Sequence, residues 1–182
     1  MEALSKPELL ALLAAARQHS ERDWLMILVG YCHGLRASEV IAIRRDAVAD
    51  GHLTVSRLKG SLRTVQPLVS DSEPLLNEAA GLDSYTRRLR LRGNQKLFPV
   101  GRQHFWRLMQ RYAEAAGIPE RKRHPHVLKH TVAMQTIHSA GIENVRQYLG
   151  HKSMSSTGAY LKKTDAEASV AIGLALQGSS AV

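Results

Sequence analysis

A succession of helix-length stretches, each ended by Gly or Pro, is broken once, by "HLTVSRLKGSLRTVQPLV" at residues 52–69. That segment alternates apolar and polar residues on both sides of Lys59-Gly60-Ser61, the pattern of a β-hairpin. The chain is therefore restricted to a mainly α fold with a small antiparallel β insertion. Ser5-Lys6-Pro7-Glu8 is a capping-box pattern with proline in the first turn, and "LLALLAAA" follows it, predicting a helix from about Ser5 to Gln18. A second helix is expected from about Glu21 to His33, ended by Gly34, and "ASEVIAIR" restarts as a short one. Helical segments are further predicted at "SEPLLNEA", "LDSYTRRLRLR", "RQHFWRLMQRYAEAAG", "HPHVLKHTVAMQTIHSAG", "ENVRQYLG" and "SMSSTGAY". With 182 residues, 44% of them hydrophobic, one domain can bury a sizeable core; "GSSAV" at the end reads as a frayed terminus.

Charge narrows the partner. Lys and Arg number 25 against 16 Asp and Glu, a net +9, which points to a polyanion, nucleic acid ahead of an anionic membrane surface. The longest apolar run, "WLMILVGYC" at 24–32, is too short to span a bilayer, and the N-terminus lacks the pattern of a secretory signal. A soluble, cytoplasmic protein without membrane partners is expected. Cys32 is the single cysteine, which excludes an intramolecular disulfide framework and fits a small buried residue in a reducing compartment.

Polar residues cluster in four places. In "HVLKH", His126 and His130 are four apart, the spacing of a zinc-binding helix, but the general base such a motif needs directly after the first histidine is replaced by Val127, and no third ligand stands at a recognisable spacing. Val127, His130, Met134 and Ile137 form an apolar stripe that is expected to carry His130 into the core, leaving His126 and Lys129 side by side on the other face to meet a phosphate. In "HGLRASEV", Gly34 ends one helix and Ala37 begins another, so Arg36 stands beside new helix N–H groups, with Glu39 three residues on to hold its guanidinium. Taken alone, this is also the pattern of an ordinary surface ion pair. Lys59 at the hairpin tip and "YLGHKSMSSTGAYLKK", containing His151 and Tyr160, complete the set.

Together these motifs resemble the tyrosine recombinase (phage integrase) family, over nearly the whole chain from about Leu4 to Lys163. The family's G-L-R-x-S-E stretch corresponds to Gly34–Glu39, its hairpin lysine to Lys59 before "RTVQPL", its H-x-L-R-H to "HVLKH", its L-G-H to Leu149-Gly150-His151, and its tyrosine follows that histidine by nine, as Tyr160 does (160 − 151 = 9). The departure is Lys129, which stands where the family has its second arginine. Within the family, "HG-R-ASE" and "RLK" look most like the short fimbrial phase-switch invertases, and Met1 favours a naturally short chain over a catalytic fragment.

The resemblance implies a recombinase catalytic-domain fold over residues 1–163, followed by a 164–182 tail with a helix that passes to a neighbouring subunit. It implies site-specific breakage and rejoining of double-stranded DNA through a 3′-phosphotyrosyl intermediate, with no metal or cofactor, by a homo-oligomer that forms a tetramer on paired sites in the nucleoid. Arg36, His126, Lys129 and His151 would cradle the phosphate, Lys59 would protonate the 5′-oxygen, Tyr160 would attack, and Glu39 and His130 would support them. Tyr31, Tyr85, Tyr112 and Tyr148 are the other tyrosines. Two rivals remain open: a DNA-binding regulator that kept the fold and lost the chemistry, supported by Lys129, and a type IB topoisomerase, disfavoured because so short a chain has no clamp domain.

Overall fold

The computed structural model describes residues 2–56 and 63–150. Its helices are α1 (Lys6–His19), α2 (Glu21–Cys32), α3 (Ala37–Val40), α4 (Glu78–Arg88), α5 (Arg102–Ala115), α6 (His126–Ala140) and α7 (Ile142–Tyr148). Strands β1 (Val48–Ala49), β2 (His52–Val55) and β3 (Thr64–Pro67) form one antiparallel sheet in the order β1-β2-β3. The predicted hairpin is therefore present, with Val55 opposite Thr64 where its loop begins and ends, and the two-residue β1 is added on the far side.

The capping box forms as the sequence requires: the Ser5 hydroxyl accepts from the Glu8 N–H at 3.3 Å, and the Glu8 carboxylate accepts from the Ser5 N–H at 2.7 Å. Helix α2 is apolar nearly all round and so belongs inside; Trp24 to Val29 are each no more than 2% exposed, and α1, α4 and α6 pack around them. At about 1.5–3 kcal/mol for each large apolar side chain buried, this helix contributes substantially to core stability. Leu4, before α1, is pinned to α6, its N–H donating to the Thr131 hydroxyl at 2.9 Å and its carbonyl accepting from Gln135.

Residues 72–77 depart from expectation. "SEPLLNEA" is a turn followed by the start of α4, not a helix of its own. Acidic side chains there bond the backbone locally: Asp71 accepts from the Glu73 N–H and Glu73 from the Leu75 N–H, which offers the chain an alternative to helical pairing. Helix begins once Asn77 caps the Ala80 N–H. The helix predicted at "SMSSTGAY" and the tail at 164–182 lie outside the described residues.

Candidate active site

Arg36 stands at the N-terminus of α3, where the left-handed Gly34 (φ 57°) turns the chain out of α2. A Cβ on Gly34 would lie 2.3 Å from the Leu149 side chain and 3.2 Å from that of Val132, so this turn requires glycine on grounds of space as well as backbone angle. Glu39 is buried and grips Arg36 twice, accepting from its backbone N–H at 2.8 Å and from Nη1 at 3.2 Å. The guanidinium itself is 43% exposed against 1% for the carboxylate, so the arginine is oriented from below and open above. This is a held guanidinium, not a freely solvated surface pair.

Arg36 and His126 line one open cavity of about 410 Å³, which also takes in Ser38, Arg102, Gln103 and Trp106. A second cavity of about 480 Å³ brings Glu39 together with Ser56 and Arg63, the residues flanking the hairpin loop. Lys59, His151 and Tyr160 lie outside the described residues. Ser56 and Arg63 lead to the loop of Lys59, and α7 is followed by Leu149 and the left-handed Gly150, directly before His151.

The faces of α6 differ from the single-stripe expectation. Lys129, expected beside His126 on the outer face, is 1% exposed, and its ammonium donates to the Leu149 carbonyl at 3.0 Å at the end of α7. His126 is exposed, whereas His130, expected in the core, is half-buried; their rings meet edge to face with centroids 4.4 Å apart. Met134 is 37% exposed. The cause is that α6 is covered from two sides, by α2 and by α7, so Leu128, Val132 and Ala133 are buried together with Val127 and Ile137. A stripe read from one helix cannot anticipate a second neighbour.

Electrostatics tie these groups together. Desolvation, then the Lys129 and Arg36 cations, hold the His126 pKa below its usual value. Burial, then His126 and His124, push His130 down to about 4. An unfolded histidine titrates near about 6.5, so between that pH and about 4 the unfolded chain binds a proton at residue 130 that the folded chain does not. This contribution is full above about pH 6.5 and is lost as pH falls toward 4. His130→Gln should accordingly flatten the acid side of the stability profile, measured as urea midpoints at successive pH values; an unchanged slope would show that His130 titrates normally.

Helix α5 supplies residues the motifs did not single out. Phe105, Leu108, Met109 and Tyr112 face the core, leaving Arg102, Gln103, Trp106 and Arg107 outward, with Trp106 51% exposed beside the Arg36 cavity. A cationic face carrying an exposed aromatic suits nucleic acid. The signal was present in the i, i+3, i+4, i+7 spacing of the buried set, which places Trp106 off the core stripe.

Among known proteins, the chain matches the phage integrase family over residues 2–167. It is 32% identical over 176 residues to the tyrosine recombinase XerD of Xanthomonas campestris pv. campestris, a match covering 87% of this chain and 54% of that protein. The crystal structure of XerA recombinase superposes with a TM-score of 0.73 at 25% identity, over 91% of this chain and 60% of that one. The lambda integrase catalytic core superposes with a TM-score of 0.67 at 19% identity, over 83% of this chain and 92% of that one. The chain spans about half the length of the curated relatives it matches.

Proposed function

This chain belongs to the phage integrase family, and we propose on that premise that it is a site-specific DNA recombinase, cutting and rejoining double-stranded DNA without metal through a 3′-phosphotyrosyl intermediate. The observation that carries the reading is the shared open cavity of Arg36 and His126, with a buried carboxylate orienting the guanidinium. In the proposed reaction the Tyr160 oxygen bonds to the scissile phosphorus as its proton passes to water. The bond from phosphorus to the 5′-oxygen breaks, and Lys59 supplies the proton that makes the leaving group a hydroxyl. Arg36, His126 and His151 offset the negative charge that gathers on the five-coordinate phosphate, with Lys129 acting from beneath through its field on His126 and its hold on the turn before His151. A 5′-hydroxyl from a second strand then attacks the phosphotyrosine, its proton returning to Lys59, and the phosphorus–tyrosine bond breaks as the Tyr160 oxygen regains a proton from water. A nicked duplex bearing the inverted repeats beside the gene tests this: a denaturation-resistant adduct is expected, and its absence would leave the regulator reading. That alternative draws on one observation, the buried Lys129 in place of an arginine.

DNA affinity should be dominated by released counterions in a chain of net charge +9. If about five phosphates are neutralised, non-specific affinity should fall roughly 500-fold between about 50 and 200 mM salt. A flat titration would count against a DNA partner. Residues 1–163 would form the catalytic unit and 164–182 a tail that joins subunits. Its Val170, Ile172, Leu174 and Leu176 suit an apolar groove of about 440 Å³ on α2, α6 and α7, lined by Tyr31, Leu76, Val132 and Val145 among others. Deleting residues 165–182 should leave a folded chain that occupies half-sites singly, read by gel shift. Tetramers on paired sites from the truncated protein would refute the exchange. Action in the cytoplasm, at the nucleoid, belongs to the same proposal.

A further inference from the structure

His33, at the C-terminus of α2, is fully buried and lies between two polar side chains from elsewhere in the fold. Its Nδ1 is 2.7 Å from Oε1 of Gln66 on β3, and its Nε2 is 2.9 Å from Oε1 of Glu78, the first residue of α4, also fully buried. Gln66 reaches onward: its Nε2 donates to the Tyr148 carbonyl at 2.8 Å and to the Thr64 hydroxyl at 3.3 Å. Glu78 is held at its other oxygen by the Val69 N–H at 3.0 Å.

Proton positions follow from the far end of this chain. A carbonyl can only accept, so the amide nitrogen of Gln66 must face Tyr148 and its oxygen must face His33. His33 must therefore carry a proton on Nδ1, and a further proton lies between Nε2 and Glu78. Each polar group named has its partner, as burial at this depth demands. The last carbonyls of a helix have no partner within it, and α7 leaves two of them next to each other. Gln66 takes that of Tyr148, and Lys129 takes that of Leu149. In return, the Tyr148 hydroxyl donates to the carbonyl of Cys32, the residue before His33.

The geometry points to His33, with Glu78 and Gln66, as a positioning group for the reaction. The relay fixes the C-terminal turn of α7, which leads to His151, against β3, the strand that follows the loop of Lys59. Arg36 leaves the same turn three residues after His33, so the segments that lead to three of the proposed catalytic side chains, Arg36, Lys59 and His151, are laced through one buried imidazole. His33 touches no DNA in this account. It acts through Gln66 and α7, and the catalytic part rests on the recombinase reading above.

Two measurements test it, the first without altering the chain. In the wild-type protein, nitrogen NMR of the His33 ring should find Nδ1 protonated; an unprotonated Nδ1 overturns the relay. The second uses Gln66→Met, which keeps volume and removes all three of the amide's bonds, to His33, Thr64 and Tyr148. Amide hydrogen exchange at residues 145–150 should quicken about tenfold, the worth of one hydrogen bond, while that of α2 is unchanged. At saturating nicked duplex, covalent adduct should form at least about tenfold more slowly, with the dissociation constant within about twofold of wild type. Unchanged exchange at 145–150 overturns the clamp, and faster exchange with an undiminished adduct rate overturns the positioning role. If wild type forms no adduct, the recombinase reading has failed, and ring protonation and exchange still decide the clamp.

Discussion

Tyr160→Phe is expected to abolish covalent attachment to DNA, a loss of about four to six orders of magnitude, while affinity stays within about twofold. One hydroxyl is removed and the net charge of +9 is untouched, so the counterion contribution to binding is conserved. The four other tyrosines make the prediction selective, because each hydroxyl is already committed. Tyr112 donates to Asp23 at 2.7 Å, Tyr85 to the Leu97 carbonyl at 3.1 Å, Tyr31 to Gln135 at 2.6 Å and Tyr148 to the Cys32 carbonyl at 2.8 Å. Burial, followed by Cys32 and Asp71, pushes Tyr31 up to about 12. Burial, followed by Asp23, does the same to Tyr112, and burial also raises Tyr85. A phenol that is hard to ionise and bound to a protein acceptor is a poor nucleophile. Phenylalanine at any of these four positions should leave some adduct, detected as labelled DNA that stays with the protein through denaturation. Adduct persisting in Tyr160→Phe, or lost only in Tyr31→Phe, would transfer the nucleophile to another tyrosine.

How much of this was legible in the sequence depended on how local the cause was. The capping box at Ser5 and Glu8 and the hairpin around Lys59 are written in neighbouring residues, and the α1 cap and the β2–β3 pairing follow. Gly34 and Arg36 were equally plain, since a helix stop followed by a helix start needs only a few positions. Residues 72–77 have the length of a helical segment, but the side chains of Asp71 and Glu73 hold the backbone in turns. The faces of α6 misled for a different reason: which side of a helix is buried depends on every partner, and α7 arrives from further along the chain to cover Lys129. The His33 relay was out of reach altogether. Its members belong to α2, β3, α4 and α7, and no periodicity connects them.

Lys129→Ala is expected to be the most damaging single change after loss of the nucleophile, through stability and chemistry together. The ammonium lies at the C-terminal end of α7, where a cation is favoured by the exposed carbonyls, and it satisfies that of Leu149 at 3.0 Å in a site only 1% exposed. Alanine leaves that carbonyl unsatisfied, at about 1–3 kcal/mol, and a cavity beside it, so a total loss of about 2–4 kcal/mol should appear in urea unfolding. Cleavage should fall about 100-fold or more, because the cation that lowers the His126 pKa is gone and the turn before His151 loses one of its ties. Lys129→Arg separates the two contributions. On charge and geometry alone, arginine should cleave faster, since a guanidinium can make a paired contact with phosphate that an ammonium cannot. In this site it must fit a larger planar group into closed space, at about 1–3 kcal/mol of overpacking. The expected result is a less stable protein that forms adduct no faster than wild type. An arginine variant that is both as stable and about tenfold faster would mean that residue 129 faces the phosphate and that its bond to Leu149 is incidental.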